Sequence, residues 1–228
     1  MEGKSLATKS RWQSPSKFFP VVVENFFREP EVIMEWGKSL PKEVVDDRPG
    51  VRSKQLWEID VELHNTILKK ILSCYYDLDY VDISWKLSNM SFHETPPGVG
   101  FIHQDVGVYS PDKNAPDNEV AGLIYLTPDI DPNAGTSLWN LNPGTIIKPK
   151  DSVTEEEHNR NFSEKLCFKN FFNRMIMYDA AEWHAANSKW TEGKDARLTL
   201  AFFIGGIESS TFPLKRVGHW DRERSICG

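Results

Sequence analysis

The sequence predicts an α+β protein, mainly β, in which two amphipathic helices precede a series of strands folded as an antiparallel sandwich or barrel. Three observations predict it. Apolar residues recur at helical spacing only near the start, at Val32, Ile33, Trp36 and Leu40, then at Leu63, Ile67, Leu68, Ile71, Leu72 and Tyr75. From residue 83 the period changes to two, over Ile83 to Phe92. Beyond that, apolar runs alternate with turn residues such as Pro96-Pro97-Gly98 and Pro143-Gly144.

Each element follows from local chemistry. Residues 1–17 are rich in Ser and Lys with little to bury, and read as a flexible arm. Phe18 to Phe27 reads as a strand, centred on Val21-Val22-Val23. Pro30 opens the first helix and Pro41 stops it. Residues 41–56 read as loop, with a turn at Arg48-Pro49-Gly50. Asp60 is the expected N-cap of the second helix, which is expected to run to about Asp77 and to leave His64 exposed or half-buried. Further strands are expected at 83–92, 99–104, 120–126, 135–139, 173–179 and 197–204. Residues 141–170 interrupt the series as an insertion or lid, and Thr154 and Glu157 have capping-box spacing for a short helix there. A chain of 228 residues suits one domain, here 18–228, with its β core at about 83–206.

Composition narrows the function classes. The net charge of −6 argues against sequence-independent nucleic-acid binding, which needs a basic footprint. The three cysteines, Cys74, Cys167 and Cys227, are odd in number and form no CxxC, which excludes a disulfide framework and a Cys-rich zinc site. A reducing cytoplasm fits this best, together with a polar start lacking the apolar stretch of a signal peptide. No run of 18 apolar residues exists to span a membrane.

The residues that carry chemistry are spaced along the strand series. In Phe101-Ile102-His103-Gln104-Asp105, His103 and Asp105 lie two apart, so on a strand both point to one side and reach one metal ion. Such a triplet arises by chance in a chain with six histidines, and alone it carries little. A second element, Ala181-Glu182-Trp183-His184, follows the apolar run Met175 to Tyr178 and sets His184 where a strand ends. Two imidazoles and one carboxylate on one face of a metal leave other positions open, as oxygen-activating non-haem iron sites require. Third, Arg197-Leu198-Thr199 puts a guanidinium and a hydroxyl on one side of a strand, a pair that can grip a carboxylate.

His-x-Asp, a distal His and Arg-x-Thr, in that order, resemble the iron(II)/2-oxoglutarate-dependent dioxygenases, especially the small prolyl-4-hydroxylase-like enzymes of bacteria and phages. The entry segment Val21 to Phe27, and Gly122 to Thr127 followed by Ala134 to Trp139, look like the same group, so that the resemblance covers about residues 18–206. It implies a double-stranded β-helix (a jelly-roll or cupin-like barrel) with supporting N-terminal helices. It implies Fe(II) held by His103, Asp105 and His184, 2-oxoglutarate held by Tyr125, Arg197 and Thr199, and O2 as oxidant. The reaction implied is hydroxylation of a C–H bond in a peptidyl proline, an amino acid or another small substrate. Retention of Asp105 favours hydroxylation over halogenation, which needs that position vacated. Trp139 and Trp183 flank the ligands in sequence and are candidates for the substrate pocket; Asn187 is a candidate for orienting O2. The distance from His184 to Arg197 is slightly longer than is common in the group, with 187–194 read as the hairpin that absorbs it.

Two other readings stand beside this one. A non-catalytic binding or structural module can share the barrel, although the complete ligand set argues against it. A metal-dependent isomerase or hydrolase on a cupin-like barrel usually carries His-x-His, which this sequence lacks. His93-Glu94 is a poor ligand pair because adjacent strand residues point apart, and His158 and His219 read as structural.

Overall fold

The computed structural model describes residues 17–45, 50–96, 100–105, 117–148, 152–187 and 196–214. Most of the expected arm, the hairpin at 188–194 and His219 lie outside them. A short strand β1 (Val21–Val23) leads into helix α1 (Pro30–Ser39), which has Pro30 in its first turn. β1 is shorter than the expected 18–27 because Asn25 takes a left-handed φ of 52° and turns the chain, and Phe26 then bonds through its N–H to the Asn173 carbonyl.

Residues 41–56, expected as loop, hold β2 (Lys42–Val44), β3 (Val51–Ser53) and the start of the short helix α2 (Leu56–Ile59). Three-residue strands carry too little alternation to be read from sequence, and their register comes from pairing with a longer neighbour. α3 (Val61–Leu72) has the expected cap, the Asp60 carboxylate accepting from the Leu63 N–H at 2.9 Å. It ends five residues before the expected Asp77. Cys74 N–H reaches back to Ile71 and tightens the last turn, and the chain leaves with Tyr75 and Tyr76 both buried. His64 is also buried, not exposed or half-exposed as expected, with Nε2 3.1 Å from the Ser88 carbonyl.

The expected strand 83–92 is two, β4 (Ile83–Ser84) and β5 (Leu87–Thr95). Then come β6 (Asn118–Tyr125), β7 (Thr136–Leu141), helix α4 (Glu155–Asn159), β8 (Phe162–Phe168), β9 (Met175–Asp179), β10 (Trp183–Ala186), β11 (Arg197–Gly205) and β12 (Glu208–Ser209). The described part of 99–104 forms no strand, only a bridge between His103 and His184. The 141–170 segment is not wholly an excursion. Its capping box at Thr154 and Glu157 forms as expected, and its second half, β8, is a strand of the smaller sheet.

The strands form two principal antiparallel sheets. The larger runs β1-β9-β6-β11-β5-β3-β2 and the smaller β10-β7-β8, with β4 and β12 paired apart. Together they make the expected double-stranded β-helix, with the helices on one side. Register assigns the faces of the large sheet. Met90 and Phe92 of β5, Leu198, Leu200, Phe202 and Ile204 of β11, and Met175 and Met177 of β9 share one core with Ile67, Leu68 and Ile71 of α3. That outer face packs closely: a Cβ on Gly122, which pairs with Phe202, would sit 2.4 Å from both the Phe202 ring and the Ile176 carbonyl oxygen. The inner face carries Ala121, Tyr125, Ile176 and Tyr178, and meets Leu138 and Phe168 of the small sheet. Among the described residues no helix is long and apolar enough to cross a membrane.

Candidate metal centre and ligand pocket

His103 and His184 are opposite one another, each N–H bonded to the other's carbonyl at 3.0 and 2.8 Å. Paired residues on adjacent strands project to one side, and the two rings lie 4.4 Å apart. His184 does not sit at the end of β9, as expected, but on β10, which follows β9 after a three-residue turn. Asp105 comes to the same place by backbone contacts. Its N–H bonds to the Ala180 carbonyl at 2.9 Å, and its own carbonyl accepts from Asn118 Nδ2 at 2.9 Å.

The ring orientations set the chemistry. His103 Nδ1 lies 2.8 Å from the Phe101 carbonyl and His184 Nδ1 lies 3.0 Å from the Glu182 carbonyl. A carbonyl only accepts, so each Nδ1 carries a proton, and each ring when neutral keeps its lone pair on Nε2. Both Nε2 atoms face Asp105, at 3.7 Å from Oδ1 for His103 and 3.0 Å from Oδ2 for His184. The three ligand atoms lie within 4.8 Å of one another, a donor set of two imidazoles and one carboxylate that fits a divalent metal. Burial pulls the His184 pKa down, but the Asp105 carboxylate outweighs it and holds the imidazole above its ordinary value. Burial, and next Asp105, push the phenol of Tyr178 well above the usual range, so Tyr178 stays neutral with its ring 5.0 Å from that of His184. The His103 side chain is 39% exposed and that of His184 7%, so the centre opens on the His103 side.

Arg197, Thr199 and Tyr125 come together on the inner face. Thr199 pairs directly with Tyr125, and Arg197 lies two residues away on the same side of β11. All three are buried. Arg197 Nη1 donates to the carbonyls of Ala134 and Gly135, at 2.9 and 3.1 Å, and its guanidinium lies 5.6 Å from the centre of the Tyr125 ring. The Tyr125 hydroxyl donates to Thr136 Oγ1 at 3.0 Å, a partner that sequence reasoning missed. Burial depresses the Arg197 pKa against the pull of the two tyrosines, and burial raises that of Tyr125. A guanidinium and two hydroxyls grouped in this way have the hydrogen-bonding chemistry to receive a carboxylate.

Trp139 and Trp183 pair with one another across β7 and β10. Each is adjacent to a residue that points into the barrel, Leu138 and His184, so both indoles lie on the opposite, outer face of the small sheet. There they pack against Ile102, Phe162 and Ala185, beside a separate cavity of about 420 Å³ that Trp139, Glu164, Cys167 and Asn187 help to line. Asn187 is tied to the same edge, its N–H to the Gly135 carbonyl and its Nδ2 to Cys167 Sγ at 3.3 Å. His93 and Glu94 point apart as expected: Glu94 pairs with Lys42 at 2.8 Å, whereas His93 Nε2 meets Ser91 Oγ at 2.9 Å on the inner face.

The insertion has a structural part in the centre that the sequence did not reveal. His158 Nε2 bonds to the Ile102 carbonyl at 2.8 Å, and Asn159 Oδ1 accepts from the Ile102 N–H at 2.9 Å. α4 thus pins the backbone of the residue before His103. The one signal for it was the capping box, which located the helix but not its partner.

No family model and no curated protein matches this sequence. Solved structures do match. HygX from Streptomyces hygroscopicus, solved with nickel, 2-oxoglutarate and hygromycin B bound, is 13% identical, with a TM-score of 0.51 over 83% of this chain and 84% of its own. AviO1 from Streptomyces viridochromogenes is 12% identical (TM-score 0.47, covering 84% and 91%), and a prolyl-4-hydroxylase from Pseudomonas putida is 9% identical (TM-score 0.46, covering 82% and 92%). At this identity the likeness is one of fold: the chain shares the double-stranded β-helix of HygX.

Proposed function

We propose that this chain is an Fe(II)- and 2-oxoglutarate-dependent dioxygenase that hydroxylates a C–H bond of a peptidyl proline, an amino acid or another small substrate. The observation that carries the reading is the convergence of His103 Nε2, His184 Nε2 and the Asp105 carboxylate, inside a barrel that also buries Arg197. In this reading His103, Asp105 and His184 hold the iron. Three ligands on one face leave the remaining positions for co-substrate and O2. Arg197, Thr199 and Tyr125 receive the distal carboxylate of 2-oxoglutarate. When bound, iron and 2-oxoglutarate supply the oxidising chemistry, in which O2 converts substrate C–H to C–OH as the keto acid becomes succinate and CO2.

The protein's own residues then have defined tasks. The Phe101 and Glu182 carbonyls keep each ligand imidazole in the tautomer that offers Nε2. Asn118 and the Ala180 carbonyl fix the Asp105 backbone. Tyr178, kept neutral, lies with its ring beside His184 and adds no charge to the ligand set. Buried Arg197 supplies a fixed positive charge where water is excluded, which favours a dianionic co-substrate over a monoanion.

The test is anaerobic. Apoprotein is loaded with Fe(II) and titrated with 2-oxoglutarate while the visible metal-to-ligand charge-transfer band is followed. The wild type gives the band, and His184→Ala loses it together with at least about a hundredfold in metal affinity. A folded, iron-loaded wild type that gives no band overturns the reading.

A further inference from the structure

The segment that carries His103 meets β10 only at the bridge to His184. His103 uses both of its backbone groups there. In an antiparallel ladder the next residue turns its N–H and C=O the opposite way. Ile102 therefore faces away from β10, and among the described residues no strand lies on that side. Ile102 is 2% exposed, so both groups need partners within the protein.

Two successive side chains of α4 supply them. His158 Nε2–H donates to the Ile102 carbonyl at 2.8 Å, and Asn159 Oδ1 accepts from the Ile102 N–H at 2.9 Å. Together they do for Ile102 what a residue of a neighbouring strand does in a sheet. Asn159 Nδ2 also donates to the Gly100 carbonyl at 3.2 Å. Between these anchors lies Phe101, whose carbonyl orients the His103 ring and whose own ring is 5.3 Å from that of His158. A shift of 100–102 therefore moves the group that aims His103.

α4 is in turn tied to the strands that carry His184. The Asn161 N–H bonds to the His158 carbonyl at 3.1 Å, and the Asn161 carbonyl accepts from the Asn142 N–H at 2.9 Å. Asn142 follows β7, which pairs with β10. The Phe162 ring of β8 lies 5.2 Å from His158 and 4.9 Å from Trp183, the residue before His184. His103 and His184 are thus joined twice, directly by their bridge and indirectly through α4 and the strands of the small sheet.

We propose that His158 and Asn159 are positioning residues of the metal centre, which act through 100–102 to hold His103 where it can share an ion with Asp105 and His184. The inference rests on the metal-ligand part of the proposed function. It makes this part of 141–170 a brace and not a lid, since lifting α4 breaks all three hydrogen bonds to 100–102.

The experiment titrates apoprotein with Co(II), whose visible bands report the ligand geometry. The wild type binds one ion. Asn159→Ala weakens binding about tenfold and alters the bands. In His103→Ala, where Asp105 and His184 hold the ion more weakly, adding Asn159→Ala changes the affinity by less than about threefold, because the residue acts through His103. A merely structural role lowers affinity in both backgrounds alike. Should Asn159→Ala not fold, His158 carries the test. His158→Phe keeps the ring but loses the donor and weakens Co(II) about tenfold, whereas His158→Gln keeps an N–H in that place and stays within about threefold of wild type. Wild-type affinity in Asn159→Ala or His158→Phe, or an equal loss in both backgrounds, overturns the proposal. His103→Ala is read alongside. A loss of affinity there, with no effect at Asn159, indicts the brace alone; wild-type affinity there, or a folded wild type that takes up no Co(II), indicts the metal centre and the brace with it.

Discussion

Strand β11 has two faces that are both largely buried and built for different ends. Leu198, Leu200, Phe202 and Ile204 point outward into the core under the helices, and Arg197, Thr199, Ala201 and Phe203 point inward. Burial alone does not separate them, since Arg197 is 4% exposed and Leu198 2%. What separates them is chemistry. The outward set has no polar atom to satisfy and lowers free energy simply by leaving water. The inward set contains a guanidinium that costs free energy to bury, and the groups it donates to include two carbonyls. In the proposed function that guanidinium is held for a ligand, so stability and function can be damaged separately on one strand.

The largest effect is expected on the outer face. Phe202→Ala removes a fully buried ring and is expected to destabilise the protein by about 3–5 kcal/mol, measured by urea unfolding. While the variant remains folded, its affinity for 2-oxoglutarate should stay within about threefold of wild type, since such a mutation acts through packing alone. Equal losses of stability and affinity would show that the two faces are coupled. Arg197→Met is the converse. Co-substrate affinity should fall by about a hundredfold or more, near 2.7 kcal/mol, in the charge-transfer titration. The unfolding free energy should change by less than about 2 kcal/mol, because the desolvation penalty disappears along with two hydrogen bonds to carbonyls. A variant that unfolds but keeps its affinity when refolded would reverse the assignment.

These same two faces explain what was legible in the sequence. An apolar run identified β11, and the two-residue spacing put Arg197 and Thr199 on one side of it; His103 and Asp105 also come together, although the strand expected to align them does not form. The cap at Asp60 is a local side-chain-to-backbone bond and could be read locally. What could not be read depended on distant pairing. β2 and β3 are too short to show a period, and β8 was hidden in an apparent insertion because four of its seven residues are exposed. Trp139 and Trp183 stand beside inward-pointing residues in sequence. Only the start of β10 at Trp183 reveals that both face away from the metal ligands. His64 and His158 are buried because each finds one carbonyl, Ser88 or Ile102, from another part of the chain. No local pattern announces such a partner.

The smallest effect sharpens the comparison through tyrosines. Tyr75 belongs to the outer core, and its hydroxyl donates to the Phe19 carbonyl at 2.7 Å; Tyr125 and Tyr178 belong to the inner one. Burial raises all three above the ordinary phenol value, with Asp179 adding to it at Tyr75. A phenol whose pKa is higher folded than unfolded contributes its full stability below the unfolded value of about 10 and loses it as pH rises above that, because only the unfolded chain ionises readily. At neutral pH, Tyr75→Phe should cost about 1 kcal/mol for the lost hydrogen bond, with a carbonyl at an exposed residue left to water. Above pH 10 the wild type should lose stability faster than the variant, which has one fewer phenol to keep neutral. The gap between their unfolding free energies should therefore narrow and then reverse as pH rises. A gap that stays constant from pH 7 to about pH 11 would mean that Tyr75 ionises as easily folded as unfolded, and that the outer core admits water where the packing of Phe18 and Tyr75 says it does not.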